Sequence, residues 1–159
     1  MKFVKFRIEK YKALKQVEIS LKNNLIPIIG INESGKSSLL HAILSFDRYN
    51  DIHLDSSHLD AKNRYDYDSI DHIVTAYLKF DSTLEIKNLQ KELSFVKSNK
   101  VLKQLEELFK KDEAIILSRN LDSKIYSLDN INTDVGTAKK VIDFILSNLP
   151  YILFFDDFN

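Results

Sequence analysis

Eight consecutive residues hold the densest chemistry in this chain: Gly30-Ile31-Asn32-Glu33-Ser34-Gly35-Lys36-Ser37. They fit the spacing G-x-x-x-x-G-K-[S/T], in which a glycine-rich turn delivers the chain into the start of a helix around a phosphate. A triphosphate is a dense anion. A helix start offers it unpaired N–H groups and the positive end of the helix dipole. Gly30 allows backbone angles closed to other residues, and Gly35 lets the main chain come close to the phosphates. The amides from about Glu33 to Ser38 then form a concave nest for the α- and β-phosphates. Lys36 is the point charge for the β- and γ-phosphates, and Ser37 offers its hydroxyl to Mg²⁺. Glu33 is an anion beside an anion, so its side chain is expected in water. The bland alternative is an ordinary glycine turn before a helix.

The flanks decide between the two. Upstream, Leu25-Ile26-Pro27-Ile28-Ile29 is a short apolar run that reads as a buried parallel strand. Downstream, Ser38-Leu39-Leu40-His41-Ala42-Ile43-Leu44 has the content of a helix packed on a sheet, expected from Lys36 to about Phe46. Strand, loop and helix stand in the order that phosphate binding requires, with ATP and Mg²⁺ as the expected ligands.

The rest of the chain must position this loop. Before it, residues 3–8 alternate loosely and residues 17–21 cleanly, as two half-exposed strands. Residues 47–67 are rich in Asp, Asn and Ser without a period, as in a surface loop. From Ile70 to Phe80 the even positions are mainly apolar, which predicts a long strand with one buried face. His72 on that face reads as a satisfied core or edge histidine. Residues 84–111 are helical in character, with a break at Ser98-Asn99. Residues 114–118 and 124–128 read as a hairpin turning at Asn120-Leu121-Asp122-Ser123. Asp134 is placed to cap a helix that Pro150 ends, and residues 151–155 form a last apolar strand. The fold class that follows is α/β, a mixed sheet with flanking helices.

Composition narrows the function. The 159 residues suit one domain with a real core, at 44% hydrophobic and 29% charged. No apolar run is long enough to span a membrane and no signal-peptide pattern opens the sequence, so no membrane partner is expected. Zero cysteines remove disulfides and thiolate metal sites and agree with the cytoplasm as the expected location. The 23 basic and 23 acidic residues cancel, which gives DNA no support from overall charge. Residues 1–24 are nevertheless basic, with seven Lys/Arg against Glu9 and Glu18, while residues 47–81 lean acidic.

Residues 1–46 together resemble the N-terminus of the RecF/SMC-like and OLD-family ATPases within the ABC class. There a strand, a Phe/Tyr-Arg/Lys pair, a second strand and a third lead into a G-x-N-x-x-G-K-S loop. Here the pair is Tyr11-Lys12, and Asn32 stands at the typical asparagine within the run from Gly30 to Ser38. The resemblance implies that Lys12 helps hold the phosphates; a solvated loop lysine is the plain alternative. It also implies a homodimer or larger assembly closing over ATP, an effector nuclease or partner protein, and DNA as a ligand.

The family pattern further demands a glutamine loop, a Ser-Gly-Gly signature and a Walker B strand ending in two carboxylates. No Gly-Gly pair exists, and Gly136 is the only glycine outside the loop. Gln16, Gln90 and Gln104 do not fall where a glutamine loop belongs. Ile152-Leu153-Phe154-Phe155-Asp156-Asp157 has the look of a Walker B strand, with Asp156 for Mg²⁺ and Asp157 for the attacking water. No signature precedes it, so an earlier structural strand is the preferred reading. The expectation is an N-terminal lobe of an ATPase domain, spanning residues 1–159 and incomplete by itself. A regulatory or assembly module that keeps the loop without hydrolysis is the second reading. A small P-loop kinase, short of arginines with only Arg7, Arg48, Arg64 and Arg119, is the third.

Overall fold

The computed structural model describes residues 1–22, 25–31, 34–51, 71–93 and 99–152. Strands β1 (Lys2–Tyr11), β2 (Leu14–Ser20), β3 (Ile73–Lys79), β4 (Ile115–Asn120) and β5 (Ile125–Leu128) make one sheet in the order β2-β1-β3-β4-β5. Four helices, α1 (Lys36–Leu44), α2 (Thr83–Leu93), α3 (Asn99–Lys110) and α4 (Val135–Ser147), join it. A short 3₁₀ turn, Arg48–Asn50, follows α1.

Alternation along the strands sorts the sheet into two faces. On β1 the residues Phe6 and Ile8 are buried; beside them lie Val74, Ala76 and Leu78 of β3, then Ile115 and Leu117 of β4. These join Leu89 of α2, Val101 and Leu105 of α3, and Val141 and Ile145 of α4 in one hydrophobic core. The opposite face carries Lys5, Arg7, Glu18 and Tyr77, with Lys5 paired to Glu18 at 3.2 Å and stacked over Tyr77. The fold is two layers, sheet and helices.

The apolar face expected between residues 70 and 80 is the buried one, and the 114–128 hairpin pairs as read. His72 is satisfied at the sheet's end, its Nδ1 2.9 Å from Asp122 Oδ2. Asp134 caps α4 as expected, accepting a hydrogen bond from Thr137 N at 3.0 Å.

Two expectations are corrected. Every strand pairing among the described residues is antiparallel, so the mixed sheet is not found there. Residues 25–29 form no strand either. Their exposure alternates as in an extended chain, with Leu25 and Ile29 at 84% and 91%, and no ladder takes them up. An apolar run becomes a buried strand only when a neighbour supplies hydrogen-bond partners, and Pro27 offers no N–H of its own. Tyr151 and Ile152 likewise lie outside any strand, and the remainder of that apolar run, with Asp156 and Asp157, lies outside the described residues.

Candidate phosphate-binding site

α1 opens from Gly35, which sits in the left-handed region at φ 89. The first helical bond is Leu39 N to Gly35 O at 2.9 Å, so the amides of Lys36, Ser37 and Ser38 precede the helical ladder. No side chain caps this end, and no acid stands in the first turn. Upstream, Ser34 N bonds Ile31 O at 3.2 Å and curls the loop back on itself. A Cβ on Gly30 would meet Ser34 Oγ, so a larger residue there requires the Ser34 hydroxyl to rotate away. Asn32 and Glu33 lie outside the described residues, and with them the expected orientation of the Glu33 side chain.

Lys36 spans the loop. Its ammonium donates to Gly30 O and to Ile31 O, both at 2.7 Å. The cation is thus drawn over the concave side of the turn by two backbone carbonyls, with a third N–H direction left to its tetrahedral geometry. Ser37 is exposed and Ser38 half-buried at the helix start.

The β1–β2 turn meets the loop from the other side. A Cβ on Gly35 would come 3.1 Å from Leu14 Cδ2, which puts the first residue of β2 against the helix start. Tyr11 pairs with Leu14, leaving Lys12 and Ala13 as the turn. Lys12 takes φ 51, an uncommon region for a residue with a Cβ, and its ammonium lies 5.9 Å from the Tyr11 ring centroid. Lys12 is therefore two residues from a direct neighbour of Gly35.

The far end of α1 is treated differently. Leu44 O accepts from Asn50 Nδ2 at 3.0 Å and from Asp47 N. Ser45 O accepts from Arg119 Nη1 at 2.7 Å, and Phe46 O from the Tyr126 hydroxyl at 2.5 Å. Arg119 also bonds Asp51 Oδ2 at 2.7 Å and lies over the Tyr126 ring. The protein satisfies the carboxyl end of α1 with its own groups and leaves the amino end uncapped. An anion is the complement of such an end.

A family model described as an AAA ATPase domain matches residues 1–151. The chain belongs to the AAA ATPase domain family. No curated protein and no solved structure matches it. Membership in the AAA ATPase family implies ATP, with Mg²⁺ as its usual companion, and the loop geometry can be held against that. The uncapped amides, the turn at Gly30 and the lysine across it fit a phosphate. Among the described residues no group of three or more His, Asp or Glu could hold a metal, and Ser37 at the helix start is the side chain that would meet a phosphate-bound magnesium ion. No helix in the same residues is long and apolar enough to cross a membrane.

Three residues at or near this helix escaped sequence reasoning. Lys10 is 4% exposed, on the face of β1 that carries Phe6 and Ile8. Phe6 meets Phe46 at the carboxyl end of α1, and four residues of strand, about 13 Å, carry Lys10 toward the loop end. Arg119 and Tyr126 lie on strands, where sequence marks them only as polar residues at a strand end. The strand alternation that buried Leu117 could have flagged Arg119, two residues on. The described arginines bond elsewhere than the loop: Arg7 pairs with Glu9 on the open face, Arg48 with Asp143, and Arg119 with Ser45 O at the opposite end of α1.

Proposed function

We propose that residues 30–38 bind the phosphates of ATP with Mg²⁺, and that this AAA ATPase domain works as the N-terminal lobe of an ABC-type ATPase of the RecF/SMC-like or OLD kind. The observation that carries the reading is the uncapped start of α1 facing a turn bridged by Lys36. The free amides from Lys36 to Ser38 would cradle the phosphates, and the Lys36 ammonium, bonded here to Gly30 O and Ile31 O, would turn to the phosphate oxygens. Ser37 contributes its hydroxyl to the ion. Lys12, brought up by the Leu14–Gly35 contact, adds a second cation.

Mg²⁺·ATP supplies the scissile bond and its own charge neutralisation; this chain's residues bind and orient it. Hydrolysis also needs a water-positioning carboxylate and a group closing over the γ-phosphate. The chain has no Gly-Gly signature, so the closing group is proposed to come from another subunit or segment. Binding without appreciable turnover is the expected behaviour of residues 1–159. That same missing signature favours the second reading, a nucleotide-dependent assembly module. The placement of Arg48 and Arg119 away from the loop counts against a kinase.

DNA contact rests on the family resemblance. A groove of about 670 Å³ on the open face gathers Lys2, Lys5, Lys22 and Lys79 around Tyr77. Three of these lysines already pair with Asp81, Glu18 and Asp112, which removes most of their field. Salt-sensitive DNA binding lost on neutralising Lys5 and Arg7 would support the open face as the contact; binding that ignores both would count against it.

The direct test is calorimetric titration with ATP and Mg²⁺ beside Lys36→Ala and Ser37→Ala. Binding that falls in both, with the Ser37 effect vanishing when Mg²⁺ is withheld, supports the assignment. Equal binding by all three proteins sinks it.

A further inference from the structure

We propose that Arg119, assisted by Tyr126, is a positioning residue for the nucleotide site, acting from the opposite end of α1. The inference rests on the phosphate-loop reading and adds to it the device that sets where the loop stands.

α1 has nine residues and is about 13 Å long. Its amino end stands against Leu14 beside Gly35 and is tied to the loop by the Lys36 bonds to Gly30 O and Ile31 O. Its carboxyl end is gripped. The Arg119 guanidinium is 1% exposed and bonds Ser45 O at 2.7 Å with one nitrogen and Asp51 Oδ2 at 2.7 Å with the other. The Tyr126 hydroxyl donates to Phe46 O at 2.5 Å and accepts from Arg48 N at 3.1 Å. Arg119 Cζ lies 5.0 Å from the Tyr126 ring centroid, and Phe46 meets that ring edge-on at 5.7 Å. Arg119 and Tyr126 are register partners on β4 and β5, so the grip stands on paired strands.

A short helix moves as a rod. Whatever fixes its far end along the axis fixes the three leading amides against Leu14 and the loop. The two bonds to successive carbonyls, Ser45 and Phe46, block both sliding and rotation, which one bond would not. The planar fork of Arg119 joins Ser45 O and Asp51 together, a geometry an ammonium cannot copy. A guanidinium at the negative end of the helix dipole is favourable by itself, but Asp51 offsets its charge. Its contribution to phosphate binding is therefore geometric rather than a long-range field.

The experiment measures binding of a fluorescent N-methylanthraniloyl ATP with Mg²⁺ well below each protein's melting temperature. Arg119→Met is expected to weaken binding about tenfold, within the usual range of site-to-site coupling. Arg119→Lys should fall between, and Tyr126→Phe, which deletes the hydroxyl's bonds to Phe46 O and from Arg48 N and keeps the ring, should cost about twofold to threefold. Leu105→Ala lowers stability from α3, which carries none of the groups bonded to Ser45 O and Phe46 O, and should leave affinity within twofold. Binding by folded Arg119→Met within twofold of the parent would overturn the inference, as would an equal loss in Leu105→Ala. Hydrogen exchange without nucleotide separates this from failure of the site itself. Faster exchange at the ladder-bonded amides from Leu39 to Ala42 in Arg119→Met supports the grip even if the parent binds no ATP, and unchanged exchange there refutes it.

Discussion

Gly35→Ala is the sharpest structural perturbation of the loop, because its cost divides into two parts that can be read separately. Gly35 sits at φ 89, where a Cβ costs about 1–2 kcal/mol from local sterics alone. The added carbon would also stand 3.1 Å from Leu14 Cδ2, a few tenths of an ångström too close. Leu14 Cδ2 is the end of a flexible, half-buried side chain, so it can give way, and that part should stay below about 1 kcal/mol. The total of about 1–3 kcal/mol should lower the melting temperature by roughly 2–10 °C for a chain of this size. Thermal melts of Gly35→Ala, Leu14→Ala and the double variant close a cycle whose coupling isolates the contact. A coupling smaller than the residual Gly35→Ala cost is expected, because the backbone part survives the removal of Leu14. Full recovery of Gly35→Ala in the Leu14→Ala background would refute the strain argument, and an unchanged melting temperature would refute both parts.

Lys12 offers a way to separate charge from turn geometry. Lys12→Gly should be about 1 kcal/mol more stable than Lys12→Ala, since φ 51 is free only to glycine, while both lose ATP affinity equally; melts and titrations of the pair check this. Retained binding in the glycine variant alone would assign the effect to the turn rather than the ammonium. Tyr126 should report the far end of α1 at high pH. Burial pushes its hydroxyl up to about 12 from the ordinary 10, partly countered by Arg119 and the Arg48 amide. The unfolded chain then ionises first, so stability is intact below pH 10 and falls as pH rises from 10 to about 12. Tyr126→Phe should flatten that loss in alkaline melts, and an identical profile in both proteins would contradict the burial.

Local pattern carried most of the fold. The helix after Lys36, the Asp134 cap and the buried face of β3 follow from periodicity and capping chemistry that lie within a dozen residues. Residues 25–29 failed because a buried strand is a property of its neighbours: the same apolar letters stay exposed where no ladder receives them. The glycine turn before α1 was legible as a turn, but the unusual backbone angle expected at Gly30 falls instead at Gly35, at φ 89, with Lys36 bridging to Gly30 O. Arg119 was not legible, because its partner Ser45 is 74 residues away; alternation from Leu117 could signal its burial but not what it bonds. Lys12 came from the resemblance alone; its turn is two residues from Leu14, which stands against Gly35, and its ammonium lies by the Tyr11 ring.

The central claim is that the start of α1 binds the phosphates of ATP. The measurement closest to it is equilibrium binding of ATP with Mg²⁺ by residues 1–159, with turnover followed in the same samples and Lys36→Ala alongside. Binding by the parent, lost in the variant and accompanied by little or no phosphate release, is the predicted result. A parent that binds no nucleotide, or a Lys36→Ala variant that binds as tightly while remaining folded, would contradict it.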